Sequence, residues 1–544
     1  MKLFLRKILP LALIAAMISG CSAIPDKPQP EGSETVETEE SVETTEADAP
    51  EEQSERMPKE YTIDLQPVSL KLNAESGVFD GYARTDGEYD GEGYVILEQD
   101  KTFKHIADVP TSQHYRIVVA AYSYTGAVMS LSAPEGCVGT YYIPPSEEPV
   151  FGLYTIDNIY LEAGPSIIKL NMLDGYASID YFIIEDSEPA SDTCYQVPVS
   201  VAGKNTGIHT IGTMKYLSDM FGVRVLTAQN VTVGTNAEID AVYAETGRYP
   251  AMRCGNLIYS SLYADDADAE TAEKEIELAL EWGRNGGIVS LGWHWYAPIE
   301  SENGLYKSGT EFVLSEAVTE SDIALLSIEE LEGMYNSEMI SEQCYRVILD
   351  IDNMAQQLKR FTDERITVIW QPLADGDTEL YWWGGDAESY RWLWQLMFKR
   401  FNEYHGLNNL IWVYNGSSAE FYPGDNYCDI IGEGMYLNSA ASFAARFAAL
   451  THLSGTSVKP VAITGCDKLA DPDLLYRDNA MWLWLAAGSG EYTIHPDGSY
   501  SEYYTSWQRL NNSYNSRICV TRDDLPDFST YALYIETTEA QTEQ

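Results

Sequence analysis

Residues 366–397 read ITVIWQPLADGDTELYWWGGDAESYRWLWQLM. An apolar, strand-like run over 366–370 ends in a polar patch holding Asp375, Asp377 and Glu379. Tyr381, Trp382 and Trp383 follow, and then a helical pattern carrying Trp392 and Trp394. Carboxyl groups beside flat aromatic rings are the chemistry of a sugar site. The acid protonates a leaving oxygen or stabilises the anomeric centre, and the rings stack on the apolar faces of pyranoses. A second group of this kind is Trp293-His294-Trp295. Asp375 is therefore the candidate acid, and Tyr381, Trp382, Trp383, Trp293 and Trp295 are candidate stacking rings beside His294. Packing between helix and sheet is the competing role for these rings. No phosphate-binding Gly loop, HExxH or Gly-x-Ser-x-Gly elbow occurs, and the seven histidines are scattered.

The elements that must position these residues are legible as alternating patterns. Strand-like runs fall at 223–227, 250–253, 287–293, 366–370, 409–414, 430–436, 459–464 and 481–485. Helical stretches such as 269–282 and 387–401 intervene. Eight βα units over residues 195–528 predict a (β/α)8 TIM barrel, whose sites lie at the C-terminal ends of the strands. All twelve tryptophans lie between Trp282 and Trp507, inside this region. Residues 61–187 instead show short alternating strands broken by Gly, Pro, Asn and Asp, such as 115–124 and 166–172. That pattern predicts a β-sandwich, jelly-roll-like in type.

The chain is too long for one ordinary core, so it is multidomain. Its formal charge of −50, from 34 basic and 84 acidic residues, excludes a nucleic-acid footprint. It suits a neutral polymer at least as well as a charged partner. Lys2, Arg6 and Lys7 precede an apolar run over 8–18, and Ser19-Gly20-Cys21 follows. The run is shorter than the ~20 residues needed to cross a bilayer. Residues 21–60 are rich in Glu, Thr, Ser and Pro, with eleven acids and no Lys or Arg between Glu31 and Glu55. This acidic linker predicts a disordered tether, and residues 535–544 a disordered tail. The cysteines are widely spaced without a CxxC pair, so neither a zinc ribbon nor a disulfide scaffold is indicated. The chain reads as a monomer.

The stretch around Asp375 resembles glycoside hydrolase family 26, the β-mannanases. In that family the fourth strand ends in Arg-Pro-Leu-His-Glu, with the Glu as acid/base, and Trp-Phe-Trp-Trp-Gly follows shortly. Here Gln371-Pro372-Leu373-Ala374-Asp375 takes that place. The resemblance continues through Thr246-Gly247-Arg248-Tyr249-Pro250-Ala251, Gly286-Gly287-Ile288-Val289, Asn408-Asn409-Leu410-Ile411-Trp412-Val413 and Asp429-Ile430-Ile431-Gly432. It ends on residues 458–464 (VKPVAIT), after which the family carries its nucleophilic Glu; here that position is Gly465. The family's strand-two Asp is Asn256, and its Asp before the sixth-strand Tyr is Gly434, ahead of Tyr436. The resemblance implies a mannan-binding cleft lined by His294, Tyr381 and Tyr436. Retaining hydrolysis needs two carboxyl groups ~5–5.5 Å apart, and Gly465 supplies none. Asp467, Glu433 and Glu491 are alternative carboxylates that a relocated mechanism would use with Asp375.

Two further resemblances bear on the flanks. Ala74-Glu75, Gly91-Glu92-Gly93-Tyr94-Val95 and Ala163-Gly164 followed by Ile179-Asp180-Tyr181-Phe182-Ile183 resemble carbohydrate-binding modules of families 6 and 35. There the residues matching Glu75 and Asp180 help hold a structural calcium ion; the barrel itself implies no cofactor. Residues 1–20 resemble a bacterial lipoprotein signal peptide, cleaved before a lipid-bearing Cys21. The expectation is an extracellular protein, lipid-anchored to the cell membrane, that binds β-mannan or a related polysaccharide with its hydrolytic pair lost. The alternatives are an active glycosidase with a relocated carboxylate and a structural or protein-binding barrel.

Overall fold

A computed structural model describes residues 56–299, 304–454 and 458–531. The lipoprotein signal with Cys21, the acidic linker up to residue 55 and the tail 535–544 lie outside the described residues.

Eight parallel strands close on themselves: β1 (Val225–Asn230), β2 (Met252–Asn256), β3 (Ile288–Trp293), β4 (Val368–Pro372), β5 (Leu410–Asn415), β6 (Ile430–Met435), β7 (Val461–Cys466) and β8 (Trp484–Ala487). Each pairs with its successor, and β8 returns to β1 through Leu226↔Trp484 to Gln229↔Ala487. This is a TIM barrel. A parallel strand is covered on both faces, which is why β4 (VIWQP) and β5 (LIWVYN) are buried at every position. The helix Ala269–Arg284 buries Ile276, Ala279 and Leu280 on one stripe and leaves its charged face to water. The helix Ala387–Lys399 starts where the Asp386 carboxylate accepts hydrogen bonds from the Glu388 and Ser389 N–H groups.

Seven of the eight observed strands begin later than the sequence pattern places them, and several run further at their C-terminal ends. Hydrophobic runs mark the barrel's interior. The Gln371-Pro372, Asn415 and Gly465-Cys466 ends that carry strands up to the mouth are polar or small, so periodicity does not register them.

Residues 69–186 form a separate antiparallel β module with its own apolar core. Its organising element is the 23-residue strand Gly164–Asp186. The first half pairs with Thr102–Val109 and Ala127–Ala133, the second with Ser69–Asn73, Tyr94–Glu98 and Gln113–Tyr122. Register shifts between Met172 and Asp174 and between Ile179 and Tyr181 bend it from one group to the other.

The module is fastened to the barrel beside β6 and β7. Ala441, from the segment after β6, sits in the module's core. Ser439 Oγ donates to Cys137 O at 2.9 Å. A Cβ at Gly136 would stand 2.6 Å from Ser439 Oγ, so this close approach needs glycine. Arg477 reaches across to Glu135, with its guanidinium 3.9 Å from the Tyr160 ring. His114 Nε2 meets Asp478 Oδ1 at 3.0 Å.

Candidate active site

The site opens where β4 ends. After Pro372 the backbone turns through two left-handed residues, Leu373 (φ 53°) and Asp375 (φ 54°). Non-glycine residues in this region cost about 1–3 kcal/mol each and persist only where the surroundings fix them. Here they do. Tyr390 Oη donates to Leu373 O at 2.9 Å, Trp383 Nε1 to Ala374 O at 2.9 Å, and Asp375 N to Asn415 O at 3.1 Å. Gly376 lies against the Tyr390 ring, where a Cβ would come within 2.1 Å. Gln371 ties three strands together, donating to Ser290 Oγ at 2.6 Å and accepting from Asn415 Nδ2 at 2.8 Å.

Asp375 is held in a recess that solvent still reaches. Burial first, and then the charges of Asp377 and Glu433, push its pKa up to about 7. A carboxyl of that kind is half-protonated at neutral pH and suited to proton donation. Asp377 accepts from Ser417 N and Oγ at 3.2 and 3.1 Å. Glu433, at the end of β6, is gripped by the fork of Arg446, from the helix Ala444–Thr451. Burial raises the Glu433 pKa while Arg446 opposes the rise. Of the alternative carboxylates, Glu433 is the one whose charge acts on Asp375.

Asp467 is held by another contact, and Glu491 lies on another turn. Asp467 Oδ2 accepts from Asn438 N at 2.7 Å, and its Oδ1 is buried without a partner. It is absent from the charges that raise Asp375. Glu491 is exposed on the short turn Gly490–Tyr492 after β8. Glu379, from the polar patch, is also peripheral, 3.9 Å from Lys307 Nζ.

Tyr436 follows β6 directly. Gly434 and Gly465 are register partners across β6 and β7, and the Tyr436 ring lies over both. A Cβ at Gly465 would sit 2.4 Å from Tyr436 Oη, and one at Gly434 would sit 3.4 Å from Tyr436 Cε2. The two glycines make a floor, and the tyrosine occupies the space a longer side chain at residue 465 would need. Burial pushes the Tyr436 pKa far above its ordinary value, with Cys466, Tyr492, Asp375 and Asp467 adding to the rise.

His294 stands beside Tyr381, its ring edge-on at 5.4 Å. Its backbone N–H donates to Asn256 Oδ1 at 3.2 Å, which turns the Asn256 amide nitrogen toward His294 Nδ1. Nδ1 therefore accepts and the proton sits on Nε2. Burial lowers the His294 pKa to about 4, so the ring is neutral at pH 7.

For the indoles the structure favours packing over stacking on a ligand. Trp293, Trp295, Trp382 and Trp383 are all buried. Trp293 and Trp295 stack on each other at 4.1 Å. Trp295 Nε1 donates to Asp350 Oδ2 at 2.6 Å and Trp382 Nε1 to Trp295 O at 2.6 Å. Large apolar area, with internal acceptors for Trp295, Trp382 and Trp383, makes these rings the packing behind the site. Tyr381 is also buried, sandwiched between Trp383 at 4.5 Å and Tyr306 at 5.9 Å. The outer, half-buried ring of that stack is Tyr306. Sequence reasoning missed Tyr306, which follows a loop with no pattern, and Arg446, whose signal was a lone cation in the apolar run AARFAAL.

The model for glycosyl hydrolase family 26 matches residues 203–500. The chain belongs to this family. A mannan endo-1,4-β-mannosidase of Thermothelomyces thermophilus is 26% identical over 376 residues, covering 68% of this chain and 71% of that protein. Mannan endo-1,4-β-mannosidase B of a Piromyces species is 26% identical over 476 residues, covering 84% and 77%. Among solved structures, a Podospora anserina GH26-CBM35 β-(1,4)-mannanase superposes with a TM-score of 0.56 at 23% identity, covering 85% of this chain and 99% of that one. A ruminal GH26 endo-β-1,4-mannanase gives 0.58 at 20% identity, covering 86% and 99%.

In the β module, Glu75 and Asp180 converge on the turn at residues 90–92. Asp180 accepts from Asp90 N through both oxygens, at 3.1 and 3.0 Å. Glu75 Oε1 accepts from Glu92 N at 2.8 Å, and its Oε2 is buried without a partner. Two converging carboxylates with an orphaned oxygen fit a hard, oxygen-seeking cation. Among the described residues no group of three or more His, Cys, Asp or Glu side chains is arranged to hold a metal ion.

Proposed function

We propose that this protein is a cell-surface lipoprotein that binds β-mannan or a related β-glycan on a family 26 barrel with its hydrolytic pair lost. The observation that carries this reading is Gly465 under Tyr436: no carboxylate stands at the nucleophile position, and a tyrosine hydroxyl fills its place. Asp375 keeps the acid's position with one methylene fewer than Glu, a reach shortened by about 1 Å, and a misplacement of that size costs about 100-fold in rate. Sugar-facing groups persist beside it: neutral His294 with a free Nε2–H donor, Tyr306 over Tyr381, and Tyr436. The mannan-directed names of its relatives support the polymer class. The Podospora GH26-CBM35 mannanase, which covers 85% of this chain, supports reading the β module as a jelly-roll-like carbohydrate-binding module, and the converging Glu75 and Asp180 carboxylates would hold its calcium. Lipid on Cys21 would hold both modules outside the cell, with the acidic linker as a stalk.

One experiment on the purified protein tests this: retention by soluble mannan and glucomannan in a native gel, with reducing-end release measured alongside. Retention without release is expected. Release at the rate of an ordinary mannanase, or no retention on either polymer, overturns the reading. Cys21→Ala is expected to move the protein from the membrane fraction to the medium.

A second reading, residual hydrolysis through Asp375 and Glu433, is favoured by one observation: a carboxyl titrating near 7 beside a carboxylate held by arginine. In that case Asp375→Ala abolishes whatever release is seen.

A further inference from the structure

A row of tyrosines runs from the glycine floor at the barrel's mouth to open solvent. It starts at Tyr436, whose ring lies over Gly434 and Gly465 at the ends of β6 and β7. The Tyr492 ring stands 5.2 Å from Tyr436, the Tyr504 ring 4.8 Å from Tyr492, and the Tyr503 ring 4.8 Å from Tyr504. Tyr492 is buried, and Tyr436 and Tyr504, which both touch it, are half-buried. Tyr503 is 80% exposed. Its plane crosses that of Tyr504 at 81°, so the contact positions the outer ring and leaves most of its surface to water. The hydroxyls set this row apart from the packing tyrosines. Tyr141, Tyr390, Tyr414 and Tyr500 each donate to a backbone carbonyl, at 2.7–2.9 Å. Those of Tyr436, Tyr492, Tyr503 and Tyr504 have no hydrogen-bond partner among the described residues, and none is sealed from solvent.

Each ring is braced. The Tyr492 ring covers Gly488, where a Cβ would stand 2.8 Å from it. Gly488 N donates to Cys466 O at 2.8 Å, joining the turn after β8 to the end of β7. Asp467, the next residue, accepts from Asn438 N at 2.7 Å and so fixes the segment that carries Tyr436. Leu469 N donates to Thr505 Oγ1 at 3.1 Å, and Tyr500 Oη to Thr505 O at 2.7 Å. These two bonds fix the loop that carries Tyr503 and Tyr504. Rings positioned in advance lose little freedom when a ligand stacks on them. Flat rings with open hydroxyls suit a neutral, hydroxyl-rich ligand with an apolar face. The chain's formal charge of −50 disfavours an anionic one.

We propose that Tyr503 and Tyr504 form a distal glycan-binding platform at the outer end of this row, stacking on a sugar unit beyond the one that meets Tyr436. This rests on the β-glycan reading above. The consequence is a length dependence: a long oligosaccharide reaches Tyr503, and a short one seated at Tyr436 does not.

The test is calorimetric titration of the wild-type protein, Tyr503→Ala and Tyr503→Phe with β-1,4-linked manno- and gluco-oligosaccharides of two and six units. Tyr503→Ala is expected to weaken hexasaccharide binding about tenfold, the scale of one aromatic contact. Disaccharide binding and the melting temperature should stay unchanged, since the side chain is open to solvent. Tyr503→Phe keeps the ring and should stay within about threefold of wild type, the scale of one exposed hydrogen bond. Equal hexasaccharide affinity in wild type and Tyr503→Ala overturns the platform while leaving the β-glycan reading intact. An equal loss for disaccharide and hexasaccharide overturns its distal placement. Absence of wild-type binding to every oligosaccharide overturns both the platform and the β-glycan reading.

Discussion

At Asp375, two carboxylates and a recess act in the same direction. Asp377 comes from its own loop and Glu433 from β6, and burial outweighs both in raising its pKa to about 7. Arg446 is committed to Glu433 and does not offset the rise. The sign for stability follows. Below about pH 4 the side chain is protonated in the folded and unfolded chain alike. Between about pH 4 and 7 the folded state keeps a proton that the unfolded chain releases, so stability falls as pH rises through this window. Asp375→Asn cannot ionise and escapes that loss. Its stability relative to wild type should climb by of order 1–2 kcal/mol from pH 4 to pH 8, a figure reduced for the partial solvent access of the recess. Urea titrations of both proteins at several pH values measure it, and a difference flat with pH would show that Asp375 ionises as an ordinary carboxyl. The neighbouring pair follows the same residue-level logic. Gly434 and Gly465 remove two side chains from the strand ends, and Tyr436 settles over the floor they leave.

The strand Gly164–Asp186 shows how one element serves two purposes. Its first half closes the module's core, and its second half delivers Asp180 to the turn at residues 90–92 beside Glu75. A cation bound there would tie Ser69–Asn73, through the turn at its end, to that strand. Millimolar calcium should then raise the melting temperature by several degrees over protein in chelator, since ligand at a hundredfold excess over Kd adds about 2.7 kcal/mol. Glu75→Gln should erase the difference; an equal response in that variant would place any calcium elsewhere. Sequence pattern found these elements unevenly. The eight barrel strands are legible because parallel strands buried on both faces read as apolar runs. Their C-terminal ends are not, because the residues that carry a site are those that break the run. The same limit explains the tryptophans: a hydrophobic ring beside a carboxylate looks alike in sequence whether it faces a ligand or, as Trp295 does, hands its N–H to a buried aspartate. Of the 23-residue strand only 166–172 reads as a strand in the sequence, since register shifts interrupt its alternation without ending it.

Across the molecule, the decisive contacts join residues that no local pattern connects. Arg477 meets Glu135 from 342 positions away, and His114 meets Asp478 from 364. The contact between module and barrel is therefore not legible in the sequence and depends on this clamp. Burial alone would push the Asp478 pKa upward; hydrogen bonds from His114, Arg477 and Ser442 outweigh it and hold the carboxyl below its ordinary range. Arg477 is the centre of the clamp: its Nε donates to Asp478 Oδ1 at 2.6 Å, its Nη2 to Glu135 Oε2 at 2.9 Å, and its plane covers the Tyr160 ring at 3.9 Å. Removing one partner of a buried ion pair costs about 3–5 kcal/mol, because the charges left behind have lost their water and gained nothing. That loss falls on the joint between two separate apolar cores. Arg477→Ala should therefore split a single thermal transition into two in scanning calorimetry, the module and the barrel melting apart. One transition at the wild-type temperature would mean that the apolar seat of Ala441 holds the modules together without the clamp.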